Sequence, residues 1–265
     1  MAEKHVQGKA AHRVMIALLL ALVVAPPACA SDPDALWKIV NGQCVPDERA
    51  DGKPAPCTEV ALEGGEARGW AVLKDRRGKT QFLLIPTARV TGIEDPAVLA
   101  PDAPNWWQAA WSARGYVMAR AGRELPRDAL SLAINAPTGR TQEQLHIHVD
   151  CLRPDVRDAL RARSHLVGED WAPLGIALAG HDYRARRLDG AELGANDPFR
   201  LLAAAPGVGA AGMAAETLVV VGATFAGGVP GFLLLVDHVD LAAGDRGSGE
   251  ELQDHDCALA ETLPR

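Results

Sequence analysis

One short stretch limits the fold more than any other: Gln144-Leu145-His146-Ile147-His148-Val149-Asp150-Cys151, in which polar and apolar side chains alternate without a break. A period of two belongs to a β-strand, whose successive side chains point to opposite faces. Leu145, Ile147, Val149 and Cys151 then form one apolar face that needs a core to pack against. Gln144, His146, His148 and Asp150 share the other face. Three chemistries suit two histidines placed this way. A solvated face on an edge strand needs nothing more. A pair of metal ligands would recruit a further ligand from His181, His238 or Asp150. A histidine nucleophile with a second histidine beside it would attack phosphorus, because an imidazole near neutral pKa can attack, leave and move protons without a strong base.

The surrounding pattern predicts a sheet with helices against it. Gly69–Leu73 and Thr80–Ile85 read as a hairpin turned at Asp75-Arg76-Arg77-Gly78, with Pro86 ending the second strand. After a loop over 95–105, Trp107, Ala110, Trp111, Val117, Met118 and Ala121 fall at helical spacing, and Gly122 sits where a C-terminal cap belongs. The tryptophans read as core packing. Ala129–Asn135 is a further strand, and Pro154 opens a helix to about Arg163. Leu218–Ala223 and Gly231–Val236 read as a last hairpin, and Gly180–Arg187 as a segment with chemistry in it. This order implies an α+β fold on an antiparallel sheet.

The N-terminus is set aside before the fold is read. Lys4, Lys9 and Arg13 precede an apolar run over Val14–Val24, and Ala28-Cys29-Ala30 offers small residues for cleavage. Residues 1–30 are therefore expected to be a signal peptide, or else a retained membrane anchor, ahead of a domain over 31–265. The run is short of the ~20 residues a spanning helix needs. In an exported chain the four remaining cysteines read as disulfides. Loop closure favours Cys44 with Cys57, which leaves Cys151 with Cys257, although other pairings and free thiols stay open. A net charge of -7 without a basic stripe argues against a nucleic-acid partner.

Around the strand a longer pattern stands out. Ser131-Leu-Ala-Ile-Asn-Ala-Pro-Thr-Gly-Arg-Thr-Gln, then Leu-His-Ile-His, then Cys-Leu-Arg-Pro-Asp-Val-Arg resembles the bacterial CDP-diacylglycerol pyrophosphatases, a branch of the histidine-triad superfamily. The Cys44 to Cys57 opening, Val72-Leu73-Lys74-Asp75 and Gly180-His181-x-Tyr183-x-Ala185-Arg186-Arg187 resemble them as well. The resemblance implies a histidine-triad-like sheet, with the C-terminal part as a second, degenerate copy of the unit. It implies hydrolysis of CDP-diacylglycerol to CMP and phosphatidate at a membrane surface, within phospholipid metabolism and without a cofactor. The enzyme would be periplasmic, or anchored in the inner membrane and facing the periplasm, with Trp106 and Trp107 as further residues that could touch lipid.

By the same resemblance His146 is the nucleophile and His148 polarises the phosphoryl oxygens. Gln144 stands where the first triad histidine is expected, and would orient His146 without shuttling protons. Asn135 fixes the site loop, Thr141 lies near the leaving oxygen, and Arg140 with the backbone N–H groups of 136–141 stabilises developing charge. His181 would share the proton work, and Arg186 and Arg187 could add positive charge. Two alternatives stay beside this reading: a metal-dependent phosphohydrolase with His146 and His148 as ligands, and a non-catalytic periplasmic protein that binds nucleotide or lipid. Nothing in the sequence sets the oligomeric state.

Overall fold

A computed structural model describes Met1 and residues 32–194 and 196–263; the export segment expected over residues 1–30 lies, Met1 apart, outside the described residues. Asp32–Arg265 forms one compact unit. Its strands are β1 (Glu59–Ala61), β2 (Trp70–Lys74), β3 (Phe82–Pro86), β4 (Leu130–Ile134), β5 (Ile147–Leu152), β6 (Ala172–Leu178), β7 (His181–Asp189), β8 (Leu218–Phe225), β9 (Val229–Val236) and β10 (Gln253–Asp254). They make a single antiparallel sheet in the order β1-β2-β3-β5-β4-β8-β9-β7-β6, and β10 pairs with the end of β5 beyond β3. The fold is α+β.

Register explains how the sheet builds both a core and a polar site. The row through Phe82, Val149, Leu132 and Val220 faces one way and is apolar throughout. It is covered by helix α1 (Trp106–Ala121), whose Trp107 and Trp111 are fully buried. This helix begins where the Asn105 side chain accepts the Gln108 N–H at 3.1 Å, and ends at Gly122 with φ 73. Trp106 is 2% exposed, so the tryptophans pack the core and do not meet a membrane. Removing either central indole would cost about 3–5 kcal/mol.

The neighbouring row through Leu83, His148 and Ala133 faces the other way. Leu83 belongs to an apolar cluster with Leu36, Val40 and Val45, and Ala133 to another built on α2 (Pro154–Arg163), with Val156 and Leu160. His148 and Asp150 therefore occupy a polar strip between two oily patches. The strip is not an edge: β5 is flanked by β3 and β4, and every residue of it is buried. The solvated edge-strand reading is thereby overturned.

Three boundaries depart from the sequence pattern. The strand begins at Ile147 instead of Gln144, because Leu145 N–H goes to the Val90 carbonyl and the chain enters as an irregular segment. Pro86 keeps a paired place opposite Trp70, at the end of β3. β6 has no counterpart in the sequence reading, since Pro173 and Gly175 interrupt it and its pairing with β7 shifts between Pro173 and Ala177. The expected hairpin of β8 and β9 is present, turning over 226–228.

With the edge strand β1 set aside, each half of the sheet read inwards has the same plan: β2-β3-β5-β4 on one side and β6-β7-β9-β8 on the other, meeting at the β4–β8 seam. Both expected disulfides form, Cys44–Cys57 over 13 residues and Cys151–Cys257 over 106. Among the described residues no helix is long and apolar enough to cross a membrane.

Candidate active site

His146 lies just before β5 and is 8% exposed. Its Nδ1–H donates to the Gln144 carbonyl at 2.7 Å, a local contact made possible by the irregular entry to the strand. Fixing the proton on Nδ1 leaves the lone pair on Nε2. Burial, and then the neighbouring His148, push the imidazole down to about 4, so it is neutral at physiological pH. The rings of His146 and His148 meet edge to face with centroids 4.9 Å apart.

His148 is held from the opposite side. Its Nδ1 is 2.9 Å from Oε2 of Glu250, and the Gln81 side-chain amide abuts the same atom at 2.9 Å. Its Nε2 is buried and has no hydrogen-bond partner. Burial alone would raise the Glu250 carboxyl, but His148 outweighs it and holds the group at about 2. Gln253 donates to the His148 carbonyl at 3.3 Å and to the Ser131 carbonyl at 3.2 Å, fixing the backbone under the ring.

A third imidazole joins the strip from the chain's far end. His255 Nδ1 is 2.8 Å from Asp150 Oδ2, and Asp150 also accepts from the Thr80 hydroxyl at 2.7 Å and the Cys151 N–H at 2.8 Å. Asp150 is fully buried, which raises its carboxyl despite those bonds, and the same hydrogen bond raises His255. Glu250 lies close enough to feel the charge of all three imidazoles.

The other expected site residues fare differently. Asn135 is buried and its Oδ1 accepts the Glu250 N–H at 3.3 Å, so it supports the turn that carries that carboxylate. Gln144 orients His146 through its backbone carbonyl; its side chain donates instead to the Pro86 and Ala88 carbonyls at 3.0 and 2.9 Å. Arg140 lies near enough to His146 to disfavour its protonation, yet its guanidinium is already held by Glu94 at 2.6 and 2.7 Å and Glu143 at 2.9 Å. Thr141 is exposed.

In the 136–141 loop, the Ala136 N–H is committed to the Gly247 carbonyl and the Gly139 N–H to the Ala136 carbonyl. Gly139 packs so closely on Gly247 that a Cβ would overlap its carbonyl oxygen. His181 makes its polar contacts with Glu251, Asp237 and Asp245, not with the imidazole pair, and His238 pairs with Glu216 at 2.9 Å. Arg187 is bonded to Asp189 and lies over Phe225, and Arg186 lies over Trp171.

Gln81, Glu250, Gln253 and His255 were absent from the sequence reading. A cavity of about 500 Å³ between α2 and the sheet, lined by Asp128, Leu152, Arg157, Arg161, Val221 and Leu233, contains none of the imidazoles.

A family profile described as CDP-diacylglycerol pyrophosphatase matches residues 31–261. A curated relative from Yersinia pestis, named CDP-diacylglycerol pyrophosphatase, is 42% identical over 263 residues, which is 95% of this chain and 96% of the relative.

Proposed function

Because the chain belongs to the CDP-diacylglycerol pyrophosphatase family, and is a hydrolase of that activity, we propose that it cleaves its substrate through a covalent intermediate on His146. The observation that carries this reading is the fixed tautomer of His146: Nδ1–H is tied to a carbonyl and Nε2 keeps its lone pair. Nε2 attacks the phosphorus of the CMP unit, a P–N bond forms, and the P–O bond to the bridging oxygen breaks. Phosphatidate leaves with that electron pair. The imidazolium so created keeps its Nδ1–H on the Gln144 carbonyl, which offsets part of the new charge. Water then attacks the same phosphorus, the P–N bond breaks and CMP departs.

His148, anchored by Glu250, turns Nε2 towards the phosphoryl oxygens and donates to them as charge develops. A phosphate monoester is a good leaving group, so the departure of phosphatidate asks little of an acid. That is why glutamine is tolerated at position 144, and the Asp150–His255 pair, whose imidazole is partly exposed, can exchange a proton with solvent. Arg140 braces the loop entering β5.

Residues 1–30 then act as the export signal or anchor and 31–265 as the catalytic domain, delivered to the periplasmic side of the membrane that holds the lipid. The two disulfides support that compartment. The mirrored strand order supports a doubled histidine-triad-like unit whose second half has lost its His-x-His.

The test is CMP release from CDP-diacylglycerol in detergent micelles with excess EDTA. Two imidazoles with both Nδ1 atoms turned to protein groups would also suit a bound metal. Release that persists in EDTA supports the nucleophile, whereas loss of release restored by added metal, in Asp237→Asn as in the parent, overturns it. Two further outcomes are expected. In kcat/KM the acid limb lies near pH 4 instead of 6.5, because neutral His146 is the active form and is lost only as pH falls through about 4. An acid limb at an ordinary histidine pKa would place the essential base elsewhere. Glu250→Gln lowers kcat about 100-fold with KM little changed, since it releases a donor that acts on the transition state. A change confined to KM would remove Glu250 from this role.

A further inference from the structure

We propose that the protein carries a divalent-cation site, separate from the His146–His148 pair, formed by His181, Asp237 and Asp245 and closed by Glu251. His181 starts β7, Asp237 follows β9, and Asp245 and Glu251 lie on the segment that leads to β10. One ligand atom from each of His181, Asp237 and Asp245 lies within 4.8 Å of the others. His181 Nδ1 is 3.5 Å from Asp245 Oδ2, 4.0 Å from Asp237 Oδ2 and 2.9 Å from Glu251 Oε1. A tetrahedral ion with bonds of about 2.1 Å sets its ligand atoms roughly 3.4 Å apart, so the cluster needs only small shifts to close on one.

The charge balance points the same way. Three carboxylates face one imidazole and the Tyr183 hydroxyl, which donates to Glu251 Oε1 at 2.8 Å. Among the described residues no lysine or arginine forms an ion pair with any of the three. An independent observation marks the missing partner: Asp237 is 3% exposed, and its Oδ2, aimed at the cluster, has no hydrogen-bond partner. A buried carboxylate oxygen in that state is costly unless a cation meets it or a proton shared with Asp245 neutralises it, and a bound ion would displace that proton. Asp245 is 4% exposed and its Oδ1 accepts the Gly247 N–H at 2.7 Å, which leaves Oδ2 for the ion.

One imidazole with carboxylate oxygens suits Zn²⁺ or Mn²⁺ better than Ca²⁺, which takes oxygen ligands alone. The ion would clamp the ends of β7 and β9 to the turn Gly249–Leu252. That turn sends Glu250 to His148 and Glu251 to His181.

Direct binding tests the site without relying on the reaction. The full chain is stripped with EDTA, desalted and titrated calorimetrically with Zn²⁺ and with Mn²⁺, with thermal melts run in parallel. One ion per chain and a melting temperature that climbs with ion concentration are expected. Asp237→Asn, which keeps the shape of the side chain, weakens binding by at least about 100-fold, since even an outer-shell partner of a metal is worth 10–100-fold. Asp245→Asn behaves alike and serves if the first variant is poorly folded. Co²⁺ in place of the ion gives a visible absorption band in the parent protein and none in either variant. Absence of saturable binding to the stripped parent, or parent-like affinity in both variants, overturns the proposal.

Discussion

Replacing His146 by alanine abolishes turnover of CDP-diacylglycerol, with kcat falling by about 10⁴-fold or more while the protein remains folded. The size follows from the mechanism. Without the imidazole no P–N bond forms, and hydrolysis reverts to direct attack by water in a site not built to activate it. Folding is spared because the side chain forms no ion pair of its own and its hydrogen bond is to a carbonyl two residues away. The same experiment has a covalent readout. Acid-sensitive, alkali-stable label from CDP-diacylglycerol carrying a radioactive cytidine accumulates on the parent enzyme during turnover and not on the variant. A folded variant with near-parental activity, or a parent that never carries label, would remove His146 from the nucleophile's role.

The second large effect is on stability. Opening Cys151–Cys257 by the double change to serine lowers unfolding free energy by about 4–5 kcal/mol, because the bridge closes a loop of the order of a hundred residues. Opening Cys44–Cys57 costs less, about 3 kcal/mol, as its loop is short. Against a typical total of about 5–15 kcal/mol, the first loss removes from about a third to nearly all of it. The long bridge also pins the segment that pairs β10 with β5 and sets His255 on Asp150. Activity is therefore lost before global unfolding is complete. Urea midpoints for the two double variants decide the matter: equal midpoints, or a larger shift for the short bridge, would contradict it.

Much of this architecture could be read from residues in order. The alternation placed His146 and His148 on one side of a strand, which holds His148 and has His146 at its entry, and the tryptophans at helical spacing placed a core-facing helix well before it. Patterns of that kind survive because packing acts on neighbours in sequence. The entry to β5 was misjudged at Gln144, since alternation cannot show that its side-chain amide has been drawn to the Pro86 and Ala88 carbonyls. β6 escaped notice because Pro173 and Gly175 break its pattern while its partner β7 holds it in place.

The groups that complete the polar strip were beyond reach for a different reason. Gln81, Glu250 and His255 sit in polar, turn-rich stretches, and only the tertiary fold brings them to β5. Asp150 was visible, but its histidine partner lies 105 residues further on. His181 carried a signal as part of a dense polar run. The contacts it makes belong to the other half of the sheet.

The position of Glu250, Gln253, His255 and Cys257 in the chain has a consequence in time. Ribosomes deliver a protein from its N-terminus, so β1 to β9, with His146 and His148, emerge before any of these residues. Until they do, His148 lacks its carboxylate, Asp150 lacks its histidine, and Cys151 is an unpaired thiol. A sheet that formed without them would have an unfinished centre. On the proposed mechanism the lipid anhydride is safe from it until Cys257 has been laid down.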